Sequence, residues 1–98
     1  MTFEIRITST AEEQLLALKK DRSLTKRYKA VSKAIRLLVS NPRHPGLQTH
    51  KYDSLQGENG EEIFEAYAEQ NTPAAYRIFW HYGPNKRQIT IIAITPHP

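Results

Sequence analysis

Three strand-like runs near the end of the chain, separated by two short loops, place the strongest constraint on its fold. The runs span residues 63–69, 75–82 and 88–95, and the breaks between them carry Asn-Thr-Pro and Gly-Pro-Asn. Aromatic and β-branched residues dominate the second and third runs, as is typical of strands in a half-buried sheet. Because short connections join antiparallel strands, the sequence predicts a β-meander.

Alternation within these runs assigns their side chains to the two faces of the sheet. The third run is apolar on both faces, which favours a central position in the sheet. We expect the rest of the chain to cover one face of the meander. The other face would then be an open working surface that carries Glu65, Tyr67, Arg77 and His81.

The residues before the meander predict one strand followed by two helices. An alternating apolar pattern over residues 3–7 indicates a short strand. Ser9 or Thr10 can cap a helix that has acidic residues in its first turn. A helical stripe over residues 24–38 predicts a second helix, which ends at an Asn-Pro pair. Residues 41–60 contain several prolines and glycines and are predicted to form a loop.

The expected architecture is therefore a two-layer α+β fold with the order β-α-α-β-β-β. Two N-terminal helices would pack on one face of a mainly antiparallel, four-stranded sheet. The 98 residues are expected to form one domain, 1–98, with a modest core. The sequence has no cysteine, no apolar run long enough to span a membrane and no signal-peptide pattern, so we expect a cytoplasmic protein.

Charge is unevenly distributed along the chain. Fourteen lysines and arginines outnumber ten acids, which gives a net charge of +4. The bases concentrate in residues 19–36, whereas residues 53–69 contain acids and no base. This segregation favours a polyanion or an acidic protein as a partner, and an ordinary solvated basic helix is the alternative interpretation.

Four short motifs, in this order along the chain, resemble a known family. They are Asn-Pro-Arg at 41–43, Leu-Gln-Gly at 55–57, Ala-Tyr-Arg-Ile-Phe-Trp at 75–80 and Ile-Ile-Ala-Ile-Thr-Pro-His-Pro at 91–98. Together with the order of elements, they resemble the RelE/ParE superfamily of bacterial type II toxin–antitoxin toxins over nearly the whole chain. The resemblance implies a toxin that cleaves messenger RNA in the ribosomal A site without a metal, or one that inhibits DNA gyrase. It also implies a cognate antitoxin protein that blocks the toxin.

The resemblance further suggests catalytic residues. Arg77 matches the family's strand-three arginine, and His97 falls where RelE-like nucleases carry a C-terminal catalytic residue. RelE itself has two lysines where this chain has Glu65 and Tyr67, and the chain ends at Pro98 without the tail of some members. A lysine-based mechanism is therefore replaced by an expected arginine, histidine and carboxylate set.

The chemistry of RNA cleavage by the 2′-hydroxyl suits these residue types. Arg77 is suited to hold the phosphate, because its planar fork binds phosphate oxygens in pairs. His97 is suited to acid or base work, since histidine changes charge near neutral pH. Glu65 would be the base or would orient an imidazole. Structural roles are the alternatives: Arg77 pairing with Glu65 across strands, and His97 as a frayed terminus.

Substrate contacts are predicted outside this catalytic set. Tyr67 would stack on an RNA base, although surface or strand-pairing roles are the alternative. His50 and Lys51, in the predicted loop, would reach the phosphate, although an ordinary structural role is the alternative. The helix bases would contact ribosomal RNA. The predicted helix bases are Lys26, Lys29 and Lys33. The histidines lack metal-ligand spacing, so we expect neither metal nor cofactor. A gyrase inhibitor or an inactive RNA- or protein-binding relative is the alternative function.

Overall fold

A computed structural model describes residues 2–97 as two helices packed on one face of a five-stranded sheet. The elements are β1 (Glu4–Ile7), α1 (Ser9–Lys20), α2 (Thr25–Ser40), β2 (His50–Gln56), β3 (Glu62–Tyr67), β4 (Tyr76–Tyr82) and β5 (Gln88–Pro96). The strands lie in the order β1-β5-β4-β3-β2. β1 pairs with β5 in parallel, and the other neighbours are antiparallel.

The predicted α+β fold is confirmed, but the prediction of four strands is wrong. The additional strand is β2, within the segment predicted as a loop. β2 is an edge strand, and every residue in it except Tyr52 is exposed, so its sequence shows no apolar alternation. It joins the sheet through backbone pairing, with His50 opposite Glu65 and Lys51 opposite Phe64. Backbone pairing of this kind leaves little trace in the side-chain pattern.

The helices bury the apolar face of the sheet and form one core with it. Fully buried members include Leu38 of α2, Ile78 and Trp80 of β4, and Ile91 of β5. α1 begins one residue earlier than its predicted caps suggest, because Thr8 accepts the backbone N–H of the third residue beyond it through its hydroxyl. None of the helices within residues 2–97 has the length and apolar character needed to cross a membrane.

A β-bulge interrupts the regular pairing of β4 with β5. Ile91 and Ala93 pair with adjacent residues of β4, so Ile92 between them is an extra residue without a pairing partner. Its carbonyl oxygen accepts a hydrogen bond from the Thr8 hydroxyl at 3.2 Å. The residue that caps α1 therefore also satisfies a backbone group that the bulge frees.

This bulge reverses the facing of the last residues of β5. Ile89 and Ile91 face the helices before it, whereas Ile94 does so after it. Without the extra residue, strict alternation would turn His97 towards the helices. With it, Thr95 and then His97 lie on the opposite face of the sheet.

The face opposite the helices is covered at its middle, contrary to the expected open surface. Ile63 and Phe79 lie there and are only 1% and 3% exposed. The ring of Tyr52 packs edge-on against Phe79, with 4.9 Å between the ring centroids. The accessible polar part of this face is therefore displaced towards the ends of the strands.

The turn between β2 and β3 depends on Gly57, because the Glu61 side chain folds over it. A Cβ at this position would collide with Glu61. The backbone N–H groups of Glu61 and Asn59 lower the pKa of the Glu61 carboxyl from its ordinary value of 4.5. The stability that these hydrogen bonds give the folded state is therefore fully present above the ordinary pKa of the carboxyl. It is lost as the pH falls through the lowered pKa of the folded state.

Leucine truncation on the two helices should separate core from surface. Leu38→Ala removes a fully buried side chain, and we expect it to lower the free energy of unfolding by about 2–5 kcal/mol. Leu16→Ala, at a residue that is 40% exposed, is the matched control and should change it by about 0.5 kcal/mol or less. Urea denaturation measures both. Equal losses in the free energy of unfolding would contradict the burial of Leu38 in the core.

Candidate functional site

A buried carboxylate lies at the centre of the polar cluster on the face opposite the helices. Glu65 in β3 is only 1% exposed, yet both of its oxygens have partners. His50 Nε2 lies 2.8 Å from Oε1, and His97 Nδ1 lies 2.6 Å from Oε2. A charge removed from water to this extent is stable only when it is paired and hydrogen-bonded. The two imidazoles provide that compensation.

Three strands and the C-terminal end of β5 bring the cluster together. His50 begins β2 directly opposite Glu65 in the sheet register. Arg77 in β4 pairs with Tyr67 of β3, two residues along from Glu65 and on the same face. His97 follows β5, and its backbone N–H donates to the carbonyl of the residue that precedes β4. His50 and His97, which are 47 positions apart in the chain, therefore meet at the carboxylate of Glu65.

Arg77 is fixed beside this carboxylate and is largely withdrawn from solvent. Its Nε lies 3.8 Å from Glu65 Oε2, and its side chain is only 10% exposed. Nη1 donates to the backbone carbonyl of Glu69 at 2.6 Å. The guanidinium carbon stands 3.7 Å from the centroid of the Tyr67 ring, which is a close cation–π contact. Within residues 2–97, the buried Nε has no hydrogen-bond partner.

Both ring nitrogens of His50 have hydrogen-bond partners. Nδ1 lies 2.9 Å from the carbonyl oxygen of Gln48, and Nε2 lies 2.8 Å from the Glu65 carboxylate. The Gln48 carbonyl and the ionised Glu65 carboxylate can only accept hydrogen bonds, so both bonds form together only when each ring nitrogen carries a hydrogen. The geometry therefore suits a ring that donates from both nitrogens. Its side chain remains 46% exposed.

His97 differs from His50 in having one ring nitrogen free. Its Nδ1 donates to the Glu65 carboxylate, and in the described part of the chain its Nε2 has no partner. A carboxylate that holds one nitrogen of an imidazole fixes the tautomer and leaves the other nitrogen able to accept a proton. The side chain is 47% exposed, so Nε2 can reach a bound molecule.

The arrangement is a carboxylate that binds one imidazole on each of its two oxygens. No group of three or more His, Cys, Asp or Glu side chains in the described range 2–97 is placed to hold a metal ion. The cluster can hold an anion, through its cationic groups, and can move protons through His97.

Of the remaining predicted residues, Tyr67 lies in the cluster, and the four lysines lie away from it. Tyr67 joins the cluster, since its ring lies edge-on to His50 at 5.6 Å between centroids. Lys51 lies on the opposite face of β2 from His50 and pairs with Glu62 at 3.1 Å. The three predicted bases of α2 are exposed, in the helical layer on the other side of the sheet from Glu65. They are Lys26, Lys29 and Lys33.

Some contacts of the cluster left no signal in the sequence. His50 was placed in a loop, and only the unpredicted strand β2 brings it to Glu65. The carbonyl groups of Gln48 and Glu69, which bind His50 and Arg77, belong to the backbone and carry no residue-type signal. The contact between His50 and Glu65 could be predicted only by first predicting that β2 pairs with β3.

Comparison with solved structures identifies the fold class. The chain is similar in fold to solved RelE and YoeB/ParE toxins, which is the fold that the resemblance implied. No protein-family model matches the sequence, and a search of curated proteins gives no significant match.

Three similar structures cover almost the whole chain. One is the archaeal RelE–RelB complex from Pyrococcus horikoshii OT3, at 19% identity and a TM-score of 0.65, covering 98% of this chain and 96% of that chain. The YoeB/ParE toxin from Agrobacterium tumefaciens has 11% identity and a TM-score of 0.64, with 97% and 99% covered. The YoeB dimer from Staphylococcus aureus has 14% identity and a TM-score of 0.63, with all of both chains covered.

Glu65→Gln should test whether the buried charge holds the cluster together. The glutamine side chain keeps the shape of glutamate, but its NH2 group cannot accept a hydrogen bond from an imidazole. One of the two imidazoles therefore loses its acceptor, and we expect the free energy of unfolding to fall by about 1–3 kcal/mol. The imidazole NMR signals of both His50 and His97 should shift. Urea denaturation and nitrogen-15 imidazole spectra measure these effects.

Glu62→Gln is the matched control for this substitution. It removes a carboxylate on the same strand whose pair with Lys51 is more than half exposed on both sides. We expect a change of about 0.5 kcal/mol or less and no change in the His50 and His97 signals. If the two variants behave alike, the carboxylate of Glu65 does not organise the site.

Proposed function

We propose that the protein is the toxin of a type II toxin–antitoxin system and cleaves messenger RNA on the ribosome without a metal. The observation that carries this proposal is the Glu65 carboxylate, buried itself but bound on each oxygen by a half-exposed imidazole. Arg77, beside the Glu65 carboxylate, adds a fixed positive charge. This set contains the groups that attack by a 2′-hydroxyl requires.

His97 is the proposed base. Its free Nε2 accepts the proton of the 2′-hydroxyl as the 2′ oxygen attacks the neighbouring phosphorus. Glu65 does not act as the base, because both of its oxygens are occupied and it is withdrawn from solvent. Its role is to orient the imidazole and to stabilise the imidazolium that forms, as in other carboxylate–histidine pairs.

His50 is the proposed acid. As an imidazolium it delivers the Nδ1 proton, held only by the neutral carbonyl of Gln48, to the leaving 5′ oxygen. The bond from phosphorus to that oxygen breaks as the bond to the 2′ oxygen forms. The products are a 2′,3′-cyclic phosphate and a free 5′-hydroxyl, with one proton gained by His97 and one lost by His50.

Arg77 contributes through its charge more than through direct contact. Its side chain is 90% buried and already bonded to Glu69, so it offers little surface to a phosphate. Its positive charge lies close to where negative charge develops on the phosphate oxygens, and electrostatic stabilisation of this kind is strong in a partly dehydrated site. Arg77 also holds Tyr67 in place.

The archaeal RelE similar to this chain was crystallised in a complex with RelB. By analogy, we infer that a cognate antitoxin binds this protein. An acidic, partly helical segment would complement the exposed bases of α2, Lys26, Lys29 and Lys33.

His97→Asn should separate catalysis from folding. The asparagine amide can still donate to Glu65 but has no counterpart of Nε2, so we expect an intact fold and a fall in cleavage rate of about 10²–10⁴-fold. His50→Gln retains a donor towards Glu65 and should also lose activity. The measurements are growth after induction, mapping of messenger RNA ends, and cleavage by purified protein on programmed ribosomes.

Three outcomes would contradict the proposal. Full toxicity of both folded variants would show that the cluster is not the catalytic site. Gyrase-linked DNA breaks with intact messenger RNA would support the ParE-like alternative instead. Normal growth with neither lesion would indicate an inactive binding relative.

The bases of α2 should contribute to RNA affinity by charge alone. Changing Lys26, Lys29 and Lys33 together to glutamine removes three charges, so the slope of log affinity against log salt should become shallower by about 2 for single-stranded RNA. Fluorescence anisotropy at several salt concentrations measures the slope. Lys86→Gln, in the β4–β5 connection, is the control and should leave it nearly unchanged. An unaltered slope in the triple variant would remove α2 from the RNA interface.

A further inference from the structure

Arg27 differs from the other bases of α2 because its side chain is held against the sheet. Within residues 2–97 it is the only base of this helix that forms an ion pair. Its Nε lies 2.8 Å from Oε1 of Glu69, which follows β3, and both side chains are largely withdrawn from water. Its guanidinium carbon also stands 4.8 Å from the centroid of the Tyr76 ring. The ion pair therefore joins the helical layer to the end of the sheet.

A second β-bulge explains how Glu69 reaches the helical layer. The backbone N–H groups of Ala68 and Glu69 both donate to the Tyr76 carbonyl at 3.2 Å, so two residues beyond β3 oppose one residue of β4. In strict alternation, the Glu69 side chain would lie on the same face as that of Glu65. Because the bulge interrupts this alternation, the Glu69 carboxylate meets Arg27 of α2 instead.

Glu69 also contacts the catalytic cluster, through its backbone. Its carboxylate Oε1 accepts from Arg27 and from the backbone N–H of Tyr76 at 3.0 Å. Its carbonyl accepts from Nη1 of Arg77 at 2.6 Å, whereas the bond from Nη1 to the Tyr76 carbonyl is longer, at 3.3 Å. Short bonds from a charged donor are the strong ones. One residue thus links α2 to the arginine beside Glu65.

Arg77 depends on this carbonyl for its position. Its buried Nε has no hydrogen-bond partner in the described part of the chain, and Glu65 Oε2, at 3.8 Å, is beyond hydrogen-bonding distance. The Tyr67 ring supplies a surface for the guanidinium but no directional bond. Displacement of the Glu69 carbonyl would therefore let the guanidinium move across the ring, and its charge would move with it.

The planar fork of Arg27 holds both ends of the connection between β3 and β4. Its Nε bonds to the Glu69 carboxylate, and its Nη2 donates to the carbonyl of Pro73 at 3.4 Å. Two bonds from one rigid group require a guanidinium, because a lysine ammonium is a point charge on a flexible stem. The contact between Arg27 and Glu69 is therefore sensitive to the shape of the cation as well as to its charge.

We propose that Arg27 and Glu69 are positioning residues for Arg77. Their ion pair fixes the strand end whose carbonyl holds the Arg77 guanidinium against Tyr67 and beside Glu65. Arg27 thus serves the cluster from the opposite side of the sheet and not as an RNA-binding base. The effect of the pair on cleavage rests on the proposed function, whereas its effect on the placement of Arg77 does not.

The first test observes Arg77 directly, by nitrogen-15 NMR of the full-length protein without RNA. Its Nε–H signal is assigned by its absence in Arg77→Lys. Arg27→Gln should shift this signal and speed its exchange with water, because the buried Nε becomes accessible. Glu69→Gln keeps an acceptor for the Tyr76 N–H but loses the charge, so it should have the same effect. The double variant should add nothing further, since both changes remove one interaction.

Two further variants separate positioning from a general loss of stability. Arg36→Gln makes the same chemical change at an exposed position of α2 and should leave the Arg77 signal unchanged. Arg27→Lys keeps the charge without the fork, so it should restore only part of the wild-type signal. Urea denaturation checks that each variant is folded. If Arg27→Gln does not fold, Arg27→Lys and Glu69→Gln decide the question.

The second test measures cleavage on programmed ribosomes. Arg27→Gln and Glu69→Gln should lower kcat by up to roughly 10²-fold, because a displacement of about 1 Å in a catalytic arrangement can cost that much. KM should stay the same, since neither side chain is proposed to bind RNA. Arg36→Gln should leave kcat unchanged.

Two results would overturn the proposal. A wild-type Arg77 signal in folded Arg27→Gln and Glu69→Gln would show that the guanidinium is held without the ion pair. A raised KM with unchanged kcat in Arg27→Gln would show that this residue binds RNA directly. Absence of cleavage by the wild-type protein would instead contradict the proposed function, and the NMR result would still decide whether the pair positions Arg77.

Discussion

The site depends on one buried negative charge. Glu65 is almost fully removed from water, and a lone carboxylate there would be strongly destabilising. Its compensation comes from His50, His97 and Arg77, none of which is near it in sequence. The carboxylate therefore ties the edge strand β2 and the end of the chain to the middle of the sheet. Stability and the arrangement of the proposed catalytic groups have the same origin.

This arrangement divides the work between buried and exposed groups. Glu65 and Arg77 are rigid because they are enclosed, whereas the two imidazoles are anchored by one edge and exposed by the other. A general acid or base must be accessible and also accurately placed, and a buried anchor meets both needs. The structural relatives share the fold at 11–19% identity, so the fold alone does not specify which side chains occupy these positions.

Much of the fold could be predicted from side-chain patterns. The meander, the two helices and the apolar character of β5 follow from periodicity, because each element buries one face. β2 could not be predicted in this way, since six of its seven residues are exposed and its pairing is made by backbone. Because β2 was not predicted, no sequence pattern indicated that Lys51 lies on the face of the strand opposite His50. Residue type suggested Arg77, His97 and Glu65, but their common contact required the strand register.

The sequence by itself determined the two-layer architecture, through the spacing of its apolar residues, and the presence of residue types suited to phosphate chemistry. Only the tertiary structure decided that these residues meet. The extra residue Ile92 in β5 shifts the alternation by one, and this shift turns His97 to the side of Glu65 instead of towards the helices. A bulge depends on how two strands pair and on the groups, such as Thr8, that satisfy its freed backbone. That information lies in contacts between distant parts of the chain and not in any local pattern.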